Sequence, residues 1–191
     1  MTPTEARINV FSLVSYLKDP LAGFLDRLRQ EMVPGCNVHA HVTVLPPRPL
    51  PVSGSAAWRQ ICGMAPGFPA FDVELTEIRV FPLSNVIYLG IGAGADSLRE
   101  MHAVFNSGIL EADEVFDYTP HITLAQDLDS AEIERLIEIA RRRWADFPHQ
   151  RSFRVETLTF VQNTEANHWV DLGRCQLGTG EMKLLEPMAT R

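Results

Sequence analysis

Cysteine is scarce in this 191-residue chain: Cys36, Cys62 and Cys175 are odd in number, widely spaced and include no Cys-x-x-Cys pair. That disfavours a disulfide framework or a zinc knuckle and points to a reducing compartment. Long apolar runs are also missing. Ile8 to Leu17, the longest apolar stretch near the N-terminus, is interrupted by Asn9, Ser12 and Ser15 and has neither a basic leader nor a small-residue cleavage site. It is too short to span a bilayer, so a cytoplasmic protein with no membrane partner is expected. Positive charge is in deficit, with 17 Lys and Arg against 24 Asp and Glu and a formal net charge of −7. Such a chain is not expected to grip DNA or long RNA through its overall field, although a locally basic cleft or a short nucleotide ligand stays compatible with it. No stretch reads as a long disordered linker, and an apolar content of 46% is ordinary for a soluble globular chain long enough to bury a real core.

What the chain does contain is a phrase written twice. His41-Val-Thr-Val44 and His121-Ile-Thr-Leu124 each read His, apolar, Thr, apolar, 80 residues apart. On a β-strand alternate side chains share a face, so each His and Thr point one way while the apolar pair anchors the other face in a core. Two such strands side by side would present two imidazoles and two hydroxyls to one cleft. These are the groups that phosphoryl chemistry needs: a base, an acid and two donors for phosphate oxygens.

The repeat is longer than the motif. Ile8 to Tyr16 reads as a strand, and Asp19-Pro20 opens a helix with Leu21, Phe24, Leu25 and Leu28 inward and Pro34-Gly35 at its end. Val38 to Leu45 is the first motif strand, stopped by Pro46, Pro47, Pro49 and Pro51. Ser55 caps a short helix carrying Trp58, Ile61, Cys62 and Ala65, and Phe71 to Phe81 is a strand whose apolar parity shifts midway, as at a bulge. The second half repeats this order. Asn85 to Ile91 is a strand, a helix carries Leu98, Met101, Phe105 and Ile109, and Thr119 to Gln126 is the second motif strand. Asp129 and Glu132 form a capping box for a helix with Ile133, Leu136, Ile137 and Ala140 inward. Phe153 to Val161 and Trp169 to Leu177 close the fold, joined by a polar turn over 163–167. The expectation is an α+β fold, a single duplicated domain over 1–178. Its lobes of antiparallel sheet with flanking helices, about 8–81 and 85–177, are related by a pseudo-two-fold axis, with strand exchange between lobes admitted, and 179–191 form a tail.

His41-Val-Thr-Val-Leu-Pro-Pro47 and Tyr118-Thr-Pro-His-Ile-Thr-Leu124, on strands of a duplicated chain, resemble the 2H phosphoesterase superfamily, in particular its bacterial 2′-5′ RNA ligase-like members. The resemblance runs from about Ile8 to Leu177. It implies cofactor-free and metal-independent chemistry on nucleoside or RNA-terminal 2′,3′-cyclic phosphates: hydrolysis, with RNA 2′-5′ ligation as a side activity. It also implies that His41 and His121 serve as general acid and base, in an order the sequence leaves open, while Thr43 and Thr123 contact the non-bridging phosphate oxygens. A non-catalytic nucleotide-binding module on the same cleft is the alternative. One departure is Ala125-Gln126-Asp127 after the second motif, where related ligases often carry a basic residue. With the negative charge, it favours a small nucleotide or an RNA end over long RNA as partner, in a monomeric protein.

Four further residues are candidates for substrate binding. Arg48, at the mouth of the first motif strand, is either a phosphate ligand or an exposed loop arginine. Tyr118 either stacks on a base or packs against its neighbours, and Trp169, on the last strand, either lines the cleft or packs locally. His39 lies in phase with His41, so it either flanks the cleft or supports its neighbour by a hydrogen bond. A His-x-His metal site lacks a carboxylate in phase, and none is expected. Tyr16 and Tyr88 occupy matching strands and are expected to pack or bond locally. His102, His149 and His168 lack motif context and read as surface or locally bonded residues.

Overall fold

Val42, Val44, Ile122 and Leu124 are at most 1% exposed, whereas His41, Thr43, His121 and Thr123 between them are half-buried on the other face. Alternation along two strands therefore builds the floor of a cleft and the roof of a core at once. Burying each of the four apolar chains contributes about 2 kcal/mol, and a one-residue slip in register would forfeit all four. The computed structural model in which this is seen describes residues 5–37 and 39–188.

The described residues form nine strands and four helices, two strands more than expected, with the helices at the expected places in the order. The strands are β1 (Arg7–Tyr16), β2 (His41–Arg48), β3 (Phe71–Val80), β4 (Ile87–Ile91), β5 (His121–Ala125), β6 (Ser152–Val155), β7 (Thr157–Thr164), β8 (Trp169–Gln176) and β9 (Met182–Leu184). The helices are α1 (Leu21–Met32), α2 (Gly54–Met64), α3 (Ala95–Phe105) and α4 (Ile133–Ala145). The strands form two sheets, β2-β1-β7-β8-β9 and β5-β4-β3-β6, paired antiparallel throughout. The α+β class holds. The sheets, however, do not divide at residues 81 and 85: β3 leaves the first half to pair with β4, and β7 returns from the second half to pair with β1. The first half lends β3 to the second sheet, and the second half lends β7, β8 and β9 to the first.

The helices bury their apolar stripes in one shared core: Leu21, Leu25, Leu28 and Met32 from α1, Trp58 and Ile61 from α2, Leu98, Met101 and Phe105 from α3, and Leu136, Ala140 and Trp144 from α4. The mid-strand bulge of β3 is present as a register shift between Leu75 and Ile78.

Several local expectations change. The prolines do not stop β2, which runs through Pro46-Pro47 to Arg48. It is the edge strand of its sheet, where a missing N–H breaks no ladder bond. Val38 lies outside the described residues, and the strand begins at His41. Ser53, not Ser55, caps α2 by accepting from the Ala56 amide. Asp129 accepts from the Ala131 amide of a short 3₁₀ turn, and Glu132 pairs with Arg135 instead of closing a capping box. Ile109 lies beyond the end of α3, in a second 3₁₀ turn. The run from Phe153 to Val161 is two strands in different sheets, because the chain crosses over at Glu156. Part of the expected tail is strand β9, paired with β8, and Arg7 Nη1 donates to the Pro187 carbonyl at 2.7 Å; Ala189–Arg191 lie outside the described residues. Cys62 and Cys175, far apart in sequence, are buried free thiols, and the neighbouring Cys175 together with burial pushes the Cys62 thiol up. Among the described residues no helix is long and apolar enough to cross a membrane.

Candidate active site

The motif strands β2 and β5 begin their respective sheets and pack alongside each other, so the cleft is walled by one strand from each half. His41 Nδ1 lies 2.7 Å from the His39 carbonyl, and His121 Nδ1 lies 2.7 Å from the Thr119 carbonyl. A carbonyl only accepts, so each Nδ1 carries the hydrogen, and in the neutral ring each Nε2 keeps a free lone pair. Both imidazoles are thus oriented by the backbone two residues upstream. At His121, Nε2 is 3.1 Å from Thr123 Oγ1, which places the second motif's hydroxyl beside its working nitrogen.

Aromatic rings hold the imidazoles edge-on. Tyr16 meets His41 at 6.1 Å between centroids and His39 at 6.3 Å. His121 is flanked by Phe81 at 5.0 Å and Tyr88 at 5.3 Å. The Tyr16 hydroxyl donates to Asp171 Oδ1 at 2.7 Å; burial and that carboxylate raise its pKa well above the usual phenol range, so it stays a neutral donor.

Both imidazoles are harder to protonate than a free one, and burial is the leading cause in each case. His41 is pushed down to about 4: after burial, the charges of Arg29 and His121 act in the same direction, while the bond to the His39 carbonyl and the charge of Asp26 partly oppose them. For His121 the bond to the Thr119 carbonyl opposes the fall, and no cation adds to it. The cleft is therefore electrostatically lopsided although its motifs match.

Two residues unforeseen from the sequence create much of this arrangement. Arg29, 6% exposed on α1, reaches across to the other half and donates Nη1 to the Thr123 carbonyl at 2.6 Å. Its Nη2 meets Cys36 Sγ at 3.6 Å, and its Nε is buried without a partner. Its phase was the available signal, since residue 29 falls four after Leu25 on the helix's apolar stripe. Asp26 accepts from the Ala40 amide at 2.6 Å and from His39 Nδ1 at 3.1 Å, fixing the entry to β2.

Of the four proposed binding residues, two are committed elsewhere. Arg48 is 5% exposed and spends its donors inside the fold: Nε on the Pro46 carbonyl, Nη1 on Asn106 Oδ1 and the Leu110 carbonyl, and Nη2 on Glu114. It pins the loop before β5, with four of its five N–H donors committed inside the fold and the side chain too buried to present the fifth to a phosphate in the cleft. Tyr118 stacks on His102 at 3.9 Å and donates its hydroxyl to the Thr43 carbonyl at 2.5 Å, so it braces β2 instead of offering a free face to a base. His102 is correspondingly not a surface residue: it is buried, and its Nδ1 donates to the Val44 carbonyl at 2.8 Å. His168 bonds to Glu5, and His149 is exposed. His39 flanks the cleft, with its side chain 78% exposed and paired to Asp26. Trp169 is half-buried at the start of β8, two residues from Asp171 and on the same face. Among the described residues no group of three His, Cys, Asp or Glu side chains is placed to hold a metal ion.

Comparison with known proteins gives three findings. A family model described as the 2′-5′ RNA ligase superfamily matches residues 17–167. A protein of Geobacillus thermodenitrificans whose name assigns it provisionally to the phosphoesterases is 35% identical over 65 residues, 34% of this chain and 37% of its own. A similarly named protein of Staphylococcus aureus strain Newman is 38% identical over 69 residues, 36% of this chain and 40% of its own. The matched stretch thus spans well under half the length of these relatives. Among solved structures, Escherichia coli LigT in apo form superposes with a TM-score of 0.61 at 18% identity, covering 88% of this chain and 97% of its own. The same protein complexed with 3′-AMP gives 0.59 at 16% identity, over 91% and 99%. At such identities the likeness is one of fold.

Proposed function

Since the chain belongs to the 2′-5′ RNA ligase superfamily, the 2H phosphoesterases, we propose that its cleft hydrolyses nucleoside or RNA-terminal 2′,3′-cyclic phosphates by two-histidine acid–base catalysis. The observation that carries this reading is the pair of imidazoles whose Nδ1–H groups are tied to backbone carbonyls, which turns both Nε2 atoms to the chemistry, that of His121 beside the Thr123 hydroxyl. His41, lowered furthest and beside Arg29, takes the base role, because it stays neutral when His121 holds a proton.

In the reaction so assigned, His41 Nε2 accepts a proton from water as the water oxygen bonds to phosphorus. The ring P–O bond on the opposite side breaks, and His121 Nε2–H delivers its proton to the departing ribose oxygen. Thr43 and Thr123 hydroxyls donate to the non-bridging oxygens as charge builds on them. The product is a ribose phosphomonoester, and the proton balance is restored by exchange with solvent. A 5′-hydroxyl entering in place of water would join two RNA ends by a 2′-5′ bond, the side activity this reading includes. No step as written calls for a metal or cofactor.

The test is turnover of the four nucleoside 2′,3′-cyclic monophosphates, with and without EDTA, by the wild type and by His41→Ala and His121→Ala. The expected outcome is chelator-resistant cleavage that falls about 100-fold or more in each variant. Full activity in either variant would overturn the assignment, and micromolar nucleotide binding with no cleavage would leave a binding module in its place.

A further inference from the structure

Gly90 stands opposite His121 in the β4–β5 register, whereas Tyr16 stands opposite His41 in the β1–β2 register. The two halves therefore differ at the position flanking each imidazole. Beside His41 the space is filled by a phenol bonded to Asp171. The residue opposite His121 has no side chain of its own, and the place a Cβ at residue 90 would take is filled by Thr76, whose Oγ1 would lie 2.7 Å from it.

One row along, Thr123, Tyr88 and Arg79 are directly opposed across β5, β4 and β3. Opposed residues share a face, so Arg79 belongs to the cleft face of the second sheet, two strand spacings or about 10 Å from Thr123. Beyond it β3 has a free edge, because β6 pairs with β3 only from Phe71 to Glu74. A groove of about 770 Å³ runs along that edge, with Thr76, Arg79 and Tyr88 on one wall and Arg141 and Arg151 on the other. Tyr88 lines this groove and also flanks His121, so one side chain adjoins both.

The groove sets three guanidinium groups against the single carboxylate of Glu77, in a chain whose net charge is −7. Arg79 uses Nε and Nη2 on Glu77 Oε1, at 2.9 and 2.6 Å, in an exposed pair of the kind that contributes little and yields to a competing anion. Arg151 is held rigid over the Trp144 ring at 4.6 Å, with Nη2 on the Trp144 carbonyl.

We propose that this groove holds the phosphodiester backbone of a single-stranded oligonucleotide whose terminal nucleotide presents its 2′,3′-cyclic phosphate to His41 and His121. The inference rests on the two-histidine reading of the cleft and narrows its substrate to a strand end. The chemistry fixes which side of the strand is held: a cyclic phosphate occupies both the 2′ and 3′ oxygens of the last ribose, so the chain continues only through its 5′ oxygen. Phosphate contacts position a strand without reading its bases, so the selectivity expected is for chain over mononucleotide, tolerant of sequence and weakened by salt.

The experiment compares kcat/KM for a tetranucleotide ending in a 2′,3′-cyclic phosphate with that for the corresponding nucleoside 2′,3′-cyclic monophosphate, in the wild type, Arg79→Ala and Arg141→Ala. The wild type is expected to prefer the tetranucleotide, and each substitution to cut that preference about tenfold, the worth of one charge-assisted contact. An unchanged ratio in both variants would overturn the proposal. In parallel, fluorescence anisotropy measures binding of a labelled tetranucleotide bearing a 3′-phosphate. If the wild type cleaves neither cyclic phosphate, the two-histidine reading fails, and this binding still decides the groove: weakening in both variants supports it, and equal affinity in all three proteins refutes it.

Discussion

Tyr118 donates its hydroxyl to the Thr43 carbonyl at 2.5 Å, and the contact has a counterpart in Arg29, whose Nη1 donates to the Thr123 carbonyl at 2.6 Å. Each motif strand is an edge strand of its sheet, and each has the carbonyl of its threonine held by a side chain from the opposite half. The cleft is thus braced crosswise. Removing the Tyr118 hydroxyl in Tyr118→Phe keeps the ring stack on His102 and leaves the Thr43 carbonyl without its donor. The expected result is a loss of about 1–2 kcal/mol in urea unfolding and a fall in kcat larger than any rise in KM. A rise in KM alone, with stability unchanged, would instead make Tyr118 a base-stacking residue.

Burial holds His121 below the ordinary imidazole value and takes His41 further down, to about 4. With His41 as base and His121 as acid, kcat/KM for a nucleoside cyclic phosphate requires His41 neutral and His121 protonated. The profile is therefore a bell whose maximum lies between pH 4 and about 6.5, the unperturbed imidazole value. Arg29→Met removes one of the charges that lower His41, so the acidic limb is expected to move to higher pH while the basic limb moves less. Displacement of the basic limb alone would reverse the assignment of acid and base.

The same depression couples the site to stability. An imidazole with a folded pKa near 4 and an unfolded pKa near 6.5 binds its proton mainly in the unfolded chain, so stability is full above about pH 6.5 and is lost as pH falls toward 4. Because the ring is only half-buried, we expect about 1–2 kcal/mol from His41, with His121 adding a contribution of the same sign. Urea unfolding at pH 7 and pH 4.5 should show a smaller acid-induced loss in His41→Gln than in the wild type. Equal losses would place the His41 pKa near its ordinary value.

Arg48 and Glu114 form a pair inside the fold, with side chains 5% and 19% exposed. Arg48→Met leaves Glu114 without its main partner and releases the loop that carries Tyr118. The expected cost is about 3 kcal/mol in unfolding free energy, read from the denaturant midpoint. An unchanged midpoint with a raised KM would return Arg48 to the substrate.

Much of this protein is readable from its residues because short windows carry it. The alternation in His41-Val-Thr-Val44 and His121-Ile-Thr-Leu124 assigns His and Thr to one face, whatever the strands pair with, and the apolar periods of the helices assign their buried sides. What the tertiary structure decided depends on partners distant in sequence. The run from Phe153 to Val161 has the character of one strand, yet the pairing partners at its two ends, β3 and β1, lie in different sheets and split it. Arg48 looks like a free cation at the mouth of a strand until Asn106, Leu110 and Glu114 are brought around it. Arg29 looks like an oddly placed charge on an apolar stripe until the Thr123 carbonyl of the other half arrives to accept from it. Side-chain direction is a local property of the backbone, whereas the satisfaction of a buried polar group is settled only when the chain closes on itself.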